Sequence, residues 1–177
     1  GTARVWDPGT GQAVTVLEGH RDWVVAAAFA PDAEHVLTVS RDREGRFWDV
    51  PMSECVAKLE GHTSWVTSAA FAPDGRCAVT SSEDMTAIIW DMAADPGACI
   101  SVLKGHGGRV CSAAFSVDGA LVVTSSLDST AKVWDARTGF CRMTLTGHTD
   151  SVWDACFVPD DDDWVVTVSQ DGTARVW

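Results

Sequence analysis

An all-β chain is what this sequence predicts, built from repeated four-stranded units stacked as the blades of a propeller, and three observations predict it. The stretch VTSSLDSTAKVWDAR at Val123–Arg137 returns as TVSRDREGRFWD at Thr38–Asp49, TSSEDMTAIIWD at Thr80–Asp91 and TVSQDGTARVW at Thr167–Trp177. Trp6, Trp48, Trp90, Trp134 and Trp177 follow one another at intervals of 42, 42, 44 and 43 residues. The opening hexapeptide GTARVW at Gly1–Trp6 is identical to Gly172–Trp177. A period of about 40–45 residues is the length of four short strands and their turns.

Taken in order, residues 1–18 are the tail of a blade: a strand over Gly1–Asp7, the turn PGTG, and a second strand at Ala13–Leu17. Residues 19–60 form the first whole repeat. It opens at Gly19-His20 and has strands at Trp23–Phe29, His35–Ser40, Gly45–Trp48 and Cys55–Leu59. Residues 61–104 form the second, whose turn MAADPGA is two residues longer and accounts for the 44-residue interval. Residues 105–146 form the third. Residues 147–177 form a fourth without its last strand, carrying one extra residue in PDDDDW before Val165. Irregularities fall in turns, where insertion costs little pairing. The strands alternate imperfectly, as expected when neighbours cover both faces.

Composition narrows the function classes. With 25 acidic against 13 basic residues the formal charge is −12, the wrong sign for a nucleic-acid partner. No apolar run approaches the roughly 18 residues of a membrane span. The sequence begins at Gly1 rather than Met, so an upstream targeting segment stays an open alternative. Six cysteines include no Cys-x-x-Cys pair, and Cys55, Cys99 and Cys141 each stand six residues before a Gly-His. Equivalent positions on neighbouring blades are too far apart to bridge, so the cysteines read as reduced thiols, and a cytoplasmic location is expected, with the nucleus as the alternative.

Four residue types recur at near-constant distance: His20, Thr38, Asp42 and Trp48; His62, Thr80, Asp84 and Trp90; His106, Thr124, Asp128 and Trp134; His148, Thr167, Asp171 and Trp177. Ser40, Ser82, Ser126 and Ser169 add a second hydroxyl. A carboxylate accepts from imidazole, imidazole meets a hydroxyl, and the hydroxyl accepts from indole. Such a chain lets a blade bury polar atoms with few left unsatisfied.

These Gly-His pairs, Ser-x-Asp turns and terminal Trp-Asp pairs cover essentially the whole sequence, which resembles the WD-repeat β-propeller family. The resemblance implies that the His–hydroxyl–Asp–Trp set is structural, tying the loop before the first strand to the second and third strands. The first complete repeat departs from the pattern, with Glu44 and Gly45 where the others have Thr86, Thr130 or Thr173 followed by alanine. Glycine weakens a strand interior, so this blade is expected to be the least regular. Propellers of the family have about seven blades, so this chain is expected to be an open arc, a fragment needing the rest of a propeller or a second copy to close the ring.

A Ser/Thr–His–Asp set also suggests a catalytic triad. Four near-identical copies, each beside a tryptophan, fit a repeated structural demand better, and no enzyme is expected. Histidines placed one per blade do not converge on a metal ion, and His35 stands alone. The run Asp160–Asp163 lacks the glycine-bearing spacing of an EF-hand and reads as a solvated turn. No cofactor is expected.

The resemblance also implies that partner proteins bind a top rim, at positions three and five after each Gly-His histidine and just before each turn Asp. These are Trp23, Val25 and Arg41; Trp65, Thr67 and Glu83; Arg109, Cys111 and Leu127; Ser151, Trp153 and Gln170. Aromatics and arginine are the composition of a binding hot spot. Trp23, Trp65, Arg109 and Trp153 are expected to lead it, against the alternative that the indoles pack between blades. The ending Trp134-Asp135-Ala136-Arg137 is similar to the box of WD-repeat substrate receptors in cullin-type ubiquitin ligases, though a solvated turn arginine is favoured. A non-enzymatic protein-interaction scaffold is therefore the leading reading. A regulatory or targeting propeller of a larger enzyme and a ligase substrate receptor are the alternatives.

Overall fold

The computed structural model describes residues 1–159 and 161–177, with the side chains of 161 and 162 left aside. Strands β1 (Thr2–Trp6) and β2 (Ala13–Glu18) form a two-stranded partial blade. Blade 1 is β3 (Val24–Phe29), β4 (His35–Ser40), β5 (Glu44–Asp49) and β6 (Glu54–Glu60). Blade 2 is β7 (Val66–Phe71), β8 (Cys77–Ser82), β9 (Thr86–Asp91) and β10 (Ala98–Lys104). Blade 3 is β11 (Val110–Phe115), β12 (Leu121–Ser126), β13 (Thr130–Asp135) and β14 (Cys141–Thr146). Blade 4 has three strands, β15 (Val152–Val158), β16 (Asp161–Ser169) and β17 (Ala174–Val176). Every pairing is antiparallel, no helix occurs among the described residues, and no ladder joins β17 to β2, so the series is not closed.

The core lies between blades. Along a strand, adjacent side chains point to opposite faces, and each second strand uses this to serve two interfaces. In β4, Val36 packs back on Leu17, Ala3 and Val5 of the partial blade. Its neighbour Leu37 packs forward on Ala78, Ile88 and Trp90 of blade 2. Val79 with Val122, and Val123 with Phe157, continue the pattern into blades 3 and 4. Both faces of each inner strand are thus covered, so β4, β8 and β12 are apolar or hydroxyl-bearing beyond their first residue.

Blade 1 is no less regular in its strands than blades 2 and 3, which share its register shifts in the first-to-second and third-to-fourth strand ladders. β5 pairs without interruption from His35↔Asp49 to Val39↔Gly45. A Cβ on Gly45 would stand 3.1 Å from Leu59 Cβ and 3.6 Å from Leu37 Cδ1. Blade 1 thus combines leucine with glycine where blade 2 combines Val79 with Ala87, a volume-conserving exchange. Glu44 is also answered locally, by Arg46 Nη2 at 3.2 Å. The strain sits in the turns instead. Ala33, Arg43 and Ser53 all have positive φ (59°, 74° and 58°), a conformation disfavoured by a Cβ. Glycine holds the first and third of these positions in blade 2, as Gly75 and Gly97, whereas the second is again non-glycine at Met85 (69°) and Ser129 (68°) and becomes Gly172 in blade 4.

The acidic turn is shorter than expected. Val158 pairs with Asp161, which draws β16 back to that residue rather than to Val165. Asp160, and the side chains of Asp161 and Asp162, lie outside the described residues.

Candidate functional site

Each complete blade contains the same hydrogen-bonded chain. In blade 1, His20 Nδ1 lies 2.8 Å from Asp42 Oδ2, His20 Nε2 lies 2.8 Å from Thr38 Oγ1, and Trp48 Nε1 donates to that hydroxyl at 2.8 Å. The three links recur with His62, Asp84, Thr80 and Trp90, and with His106, Asp128, Thr124 and Trp134. Blade 4 makes them with His148, Asp171, Thr167 and Trp177, although it lacks a fourth strand. The pattern fits one tautomer: Nδ1–H donates to the carboxylate, and the threonine hydroxyl donates to Nε2 while accepting from indole.

The carboxylate does more than the spacing foretold. Asp42, Asp84, Asp128 and Asp171 also accept the backbone N–H after each histidine, from Arg21, Thr63, Gly107 and Thr149. Their second oxygens cap the turn by accepting from the N–H of Glu44, Thr86, Thr130 and Thr173. Ser40, Ser82, Ser126 and Ser169 accept the aspartate N–H. Burial by itself raises the Asp128 carboxyl, but bonds from the Thr130 hydroxyl, the Gly107 N–H and His106 outweigh it and hold the pKa at about 2. For His20 and His106, burial lowers the pKa despite the opposing aspartate, which favours neutral imidazole.

The arrangement has the connectivity of a triad without its access. Thr38 and Thr124 are wholly buried, Thr80 and Thr167 nearly so, and in each the hydroxyl is taken by imidazole and indole. None of the four can approach a substrate carbonyl. His35 is not isolated: its Nδ1 lies 2.8 Å from Asp32 Oδ2 and its ring stacks on Phe47 with centroids 4.9 Å apart. Among the described residues no group of three or more His, Cys, Asp or Glu is placed to hold a metal ion.

The end of the blades that carries these turns is the upper rim. There the N–H before each turn aspartate donates to a carbonyl at the start of the first strand. The bonds are Arg41 to Trp23 (2.9 Å), Glu83 to Trp65 (2.9 Å), Leu127 to Arg109 (3.0 Å) and Gln170 to Ser151 (2.8 Å). The second rim position in each blade is a β-bulge, where the register shifts past Val25, Thr67, Cys111 and Trp153. A bulge re-aims one side chain without breaking the ladder. Thr67 uses it to donate to Val110 O of the next blade at 2.7 Å, and is half-buried.

Side chains join the rim across blades 1 to 3. The Arg41 guanidinium sits 4.4 Å from the Trp23 ring centroid and 4.3 Å from that of Trp65, one indole on each blade. Glu83 of blade 2 meets Arg109 of blade 3 at 3.1 Å. Val25, Arg41, Trp65, Thr67, Glu83 and Arg109 line one cleft of about 50 Å³. Arg109 is ion-paired, and Arg41 is the rim arginine that stacks. Trp153 does not join this ladder. It stands 46 % exposed on blade 4, beside Ser151 and Gln170 rather than a charged pair.

Ser68 and Ser112 were not foreseen as connectors. They accept the backbone N–H of Ala113 and Ala155 in the following blades, both at 3.2 Å. No spacing signal marked them, because their partners lie 43 to 45 residues away. At the opposite end of the blades, Arg137 and Ala136 line a cleft of about 270 Å³ between blades 2 and 3, with Ile89, Ile100 and Phe115. All six cysteines are free thiols.

No curated protein matches the chain. The family model described as "WD domain, G-beta repeat" matches at residues 11–49, 53–91, 97–135 and 139–177. Each match starts one strand before a blade, so the sequence repeat takes the fourth strand of one blade with three strands of the next. Such repeats are generally protein–protein interaction scaffolds and typically non-enzymatic. Four matches over most of the 177 residues place the chain in the WD-domain, G-beta repeat family.

Proposed function

We propose that this chain is a non-enzymatic interaction scaffold whose upper rim, across blades 1 to 3, receives a partner protein. One observation carries the reading: two indoles that belong to no blade network, Trp23 at 66 % and Trp65 at 40 % exposure, flank an arginine on the same surface. Tryptophan and arginine dominate the residues whose truncation weakens protein interfaces. The part of each indole left in solvent packs on no blade, and that apolar surface is available to a partner. The test is Trp23→Ala and Trp65→Ala, each followed by melting and by affinity purification from the source cells. A melting point within a few degrees of wild type with lost partners supports the reading. Collapse of the fold, or every partner retained by folded protein, makes the indoles inter-blade packing.

The reading extends to ring closure and location. The uncovered faces of the partial blade and blade 4 are complementary halves of one blade interface. Further blades, from the same polypeptide or a second copy, would cover them. Light scattering distinguishes a closed dimer from an open monomer. Free thiols on successive fourth strands support a reducing, cytoplasmic or nuclear setting.

A ligase-receptor role is the second reading, favoured by Arg137 on the lower cleft. Arg137→Ala abolishes pull-down of the propeller adaptor if that role holds.

A further inference from the structure

We propose that the Arg41 guanidinium is a preformed receptor for a carboxylate on an acidic segment of the partner protein. This rests on the upper rim being the partner-binding face. Three features of the rim support it.

The first is geometry. The guanidinium carbon lies 4.4 Å from one indole centroid and 4.3 Å from another, so the group is held against two rings. Its N–H donors, none of which bonds to a described residue, form a planar fork matched to the two oxygens of a carboxylate. Stacking also removes most rotamer freedom of a long side chain before any partner arrives, which lowers the entropic cost of binding.

The second is the absence of a competitor. Arg46, Arg109 and Arg142 each have a carboxylate within ion-pair distance, on Glu44, Glu83 and Asp135. Arg41 has none among the described residues, and its side chain makes no hydrogen bond there. Six other arginines also lack an ion pair among the described residues, but no other lies over two indole rings there.

The third is the neighbouring charge. Glu83, the one acid among the rim positions of blades 1 to 3, is held by Arg109 at 3.1 Å and so opposes an incoming anion less. The line Trp23, Arg41, Trp65, Glu83 and Arg109 therefore carries one surplus positive charge between two apolar rings. One free guanidinium edge matches a single monoanionic carboxylate. A phosphate dianion calls for more than one uncommitted cation, and Arg109 is already committed. Apolar residues beside the acid would lie on the exposed faces of the indoles.

Calorimetric titration of the protein with four terminally blocked pentapeptides tests this. Each has leucine at positions one, three and five, with glutamate, glutamine, lysine or phosphoserine at two and four. The glutamate peptide is expected to bind saturably, and at least tenfold more tightly than the glutamine peptide. Arg41→Gln should reduce that affinity at least tenfold, and Arg41→Lys should not restore it, because an ammonium cannot present a fork. Melting of both variants, recorded alongside, shows that the protein titrated is folded.

Equal binding of the glutamine peptide, or no binding of the glutamate peptide to folded protein, overturns the proposal. A preference for the lysine peptide, strengthened by Arg41→Gln, makes the indoles a cation cage that Arg41 only fills. Much tighter binding of the phosphoserine peptide moves the ligand from carboxylate to phosphate. Failure of the rim itself would look different, since cellular partners would then survive Trp23→Ala and Trp65→Ala.

Discussion

The hexapeptide GTARVW forms β1 at one end of the array and β17 at the other, and the two copies bury opposite faces. At Gly1–Trp6, Ala3 and Val5 pack forward on Val36, Trp48 and Val50 of blade 1, and Trp6 is 54 % exposed. At Gly172–Trp177, Trp177 packs back on blade 3 and donates to Thr167 at 2.9 Å, whereas Val176 is 63 % exposed. β1 is paired along one edge, to β2, and β17 along the other, to β16. Side chains alternate along a strand, so one blade strand carries two half-interfaces. Which half is used depends on which neighbour is present.

The largest test of this comparison is at the tryptophan position. Trp90→Ala empties a fully buried site and should cost about 3–5 kcal/mol in chemical denaturation. Trp6→Ala, at the equivalent position with neither hydroxyl nor preceding blade, should stay within about 0.5 kcal/mol. Equal losses would mean that the exposed copy is buried in solution.

Next comes the network without the fourth strand. In blade 4 His148 lies on the loop before β15, Thr167 on β16, Asp171 in the turn to β17 and Trp177 just after β17, so no member sits on a fourth strand. Asp171→Ala should therefore cost about as much as Asp84→Ala, roughly 1–3 kcal/mol each, by leaving imidazole and backbone donors unpaired. A much smaller loss at Asp171 would show that a fourth strand is needed to hold the network.

Acid acts on all four networks through their aspartates, whose carboxyls are held below the ordinary value. His20 and His106 lie below the ordinary 6.5 because burial disfavours their charged form. The unfolded chain therefore takes up protons first as pH falls through 6.5, and stability declines from there. Asp128, at about 2 against an ordinary 3.8, contributes stability that is full above 3.8 and lost as pH falls from 3.8 through 2. The melting temperature, followed from pH 8 to pH 2, should be level at the top and fall in these two windows. A melting point that rises as pH falls below 6.5 would contradict the neutral-imidazole assignment.

The smallest effects are in the turns. Gly172 has φ of 82° with nothing near its added Cβ, so Gly172→Ala should destabilise by about 1 kcal/mol through conformation alone. At Gly1 in the other copy the obstacle is contact instead, because a Cβ there would press on the His20 carbonyl oxygen. Met85→Gly, at the turn position where φ is 69°, should stabilise by about 0.4–1 kcal/mol. No gain would show that the entropy lost by glycine cancels the relief of strain.

The period, the strands, the turns and the membership of each network could be read directly because they repeat. A hydroxyl ten residues before a tryptophan is a signal once and a rule four times over. The rim positions were also legible as positions, since the backbone bonds from Arg41 to Trp23 and Glu83 to Trp65 lie within a single blade. Their side-chain partners were not. Arg41 stacks on Trp65 and Glu83 meets Arg109 across blade boundaries, 24 and 26 residues apart, at rim positions that differ from blade to blade.

The reading of Gly45 as a weak point failed for the same reason. A missing Cβ looks like loss along one strand, and only the Leu37 and Leu59 side chains brought against it show the space being used. By itself the sequence determined the blade, because hydrogen-bond chemistry and strand period are local and each unit restates them. Only the tertiary structure decided what each face touches: contact between blades depends on side-chain volume and charge at positions that the repeat leaves free to vary.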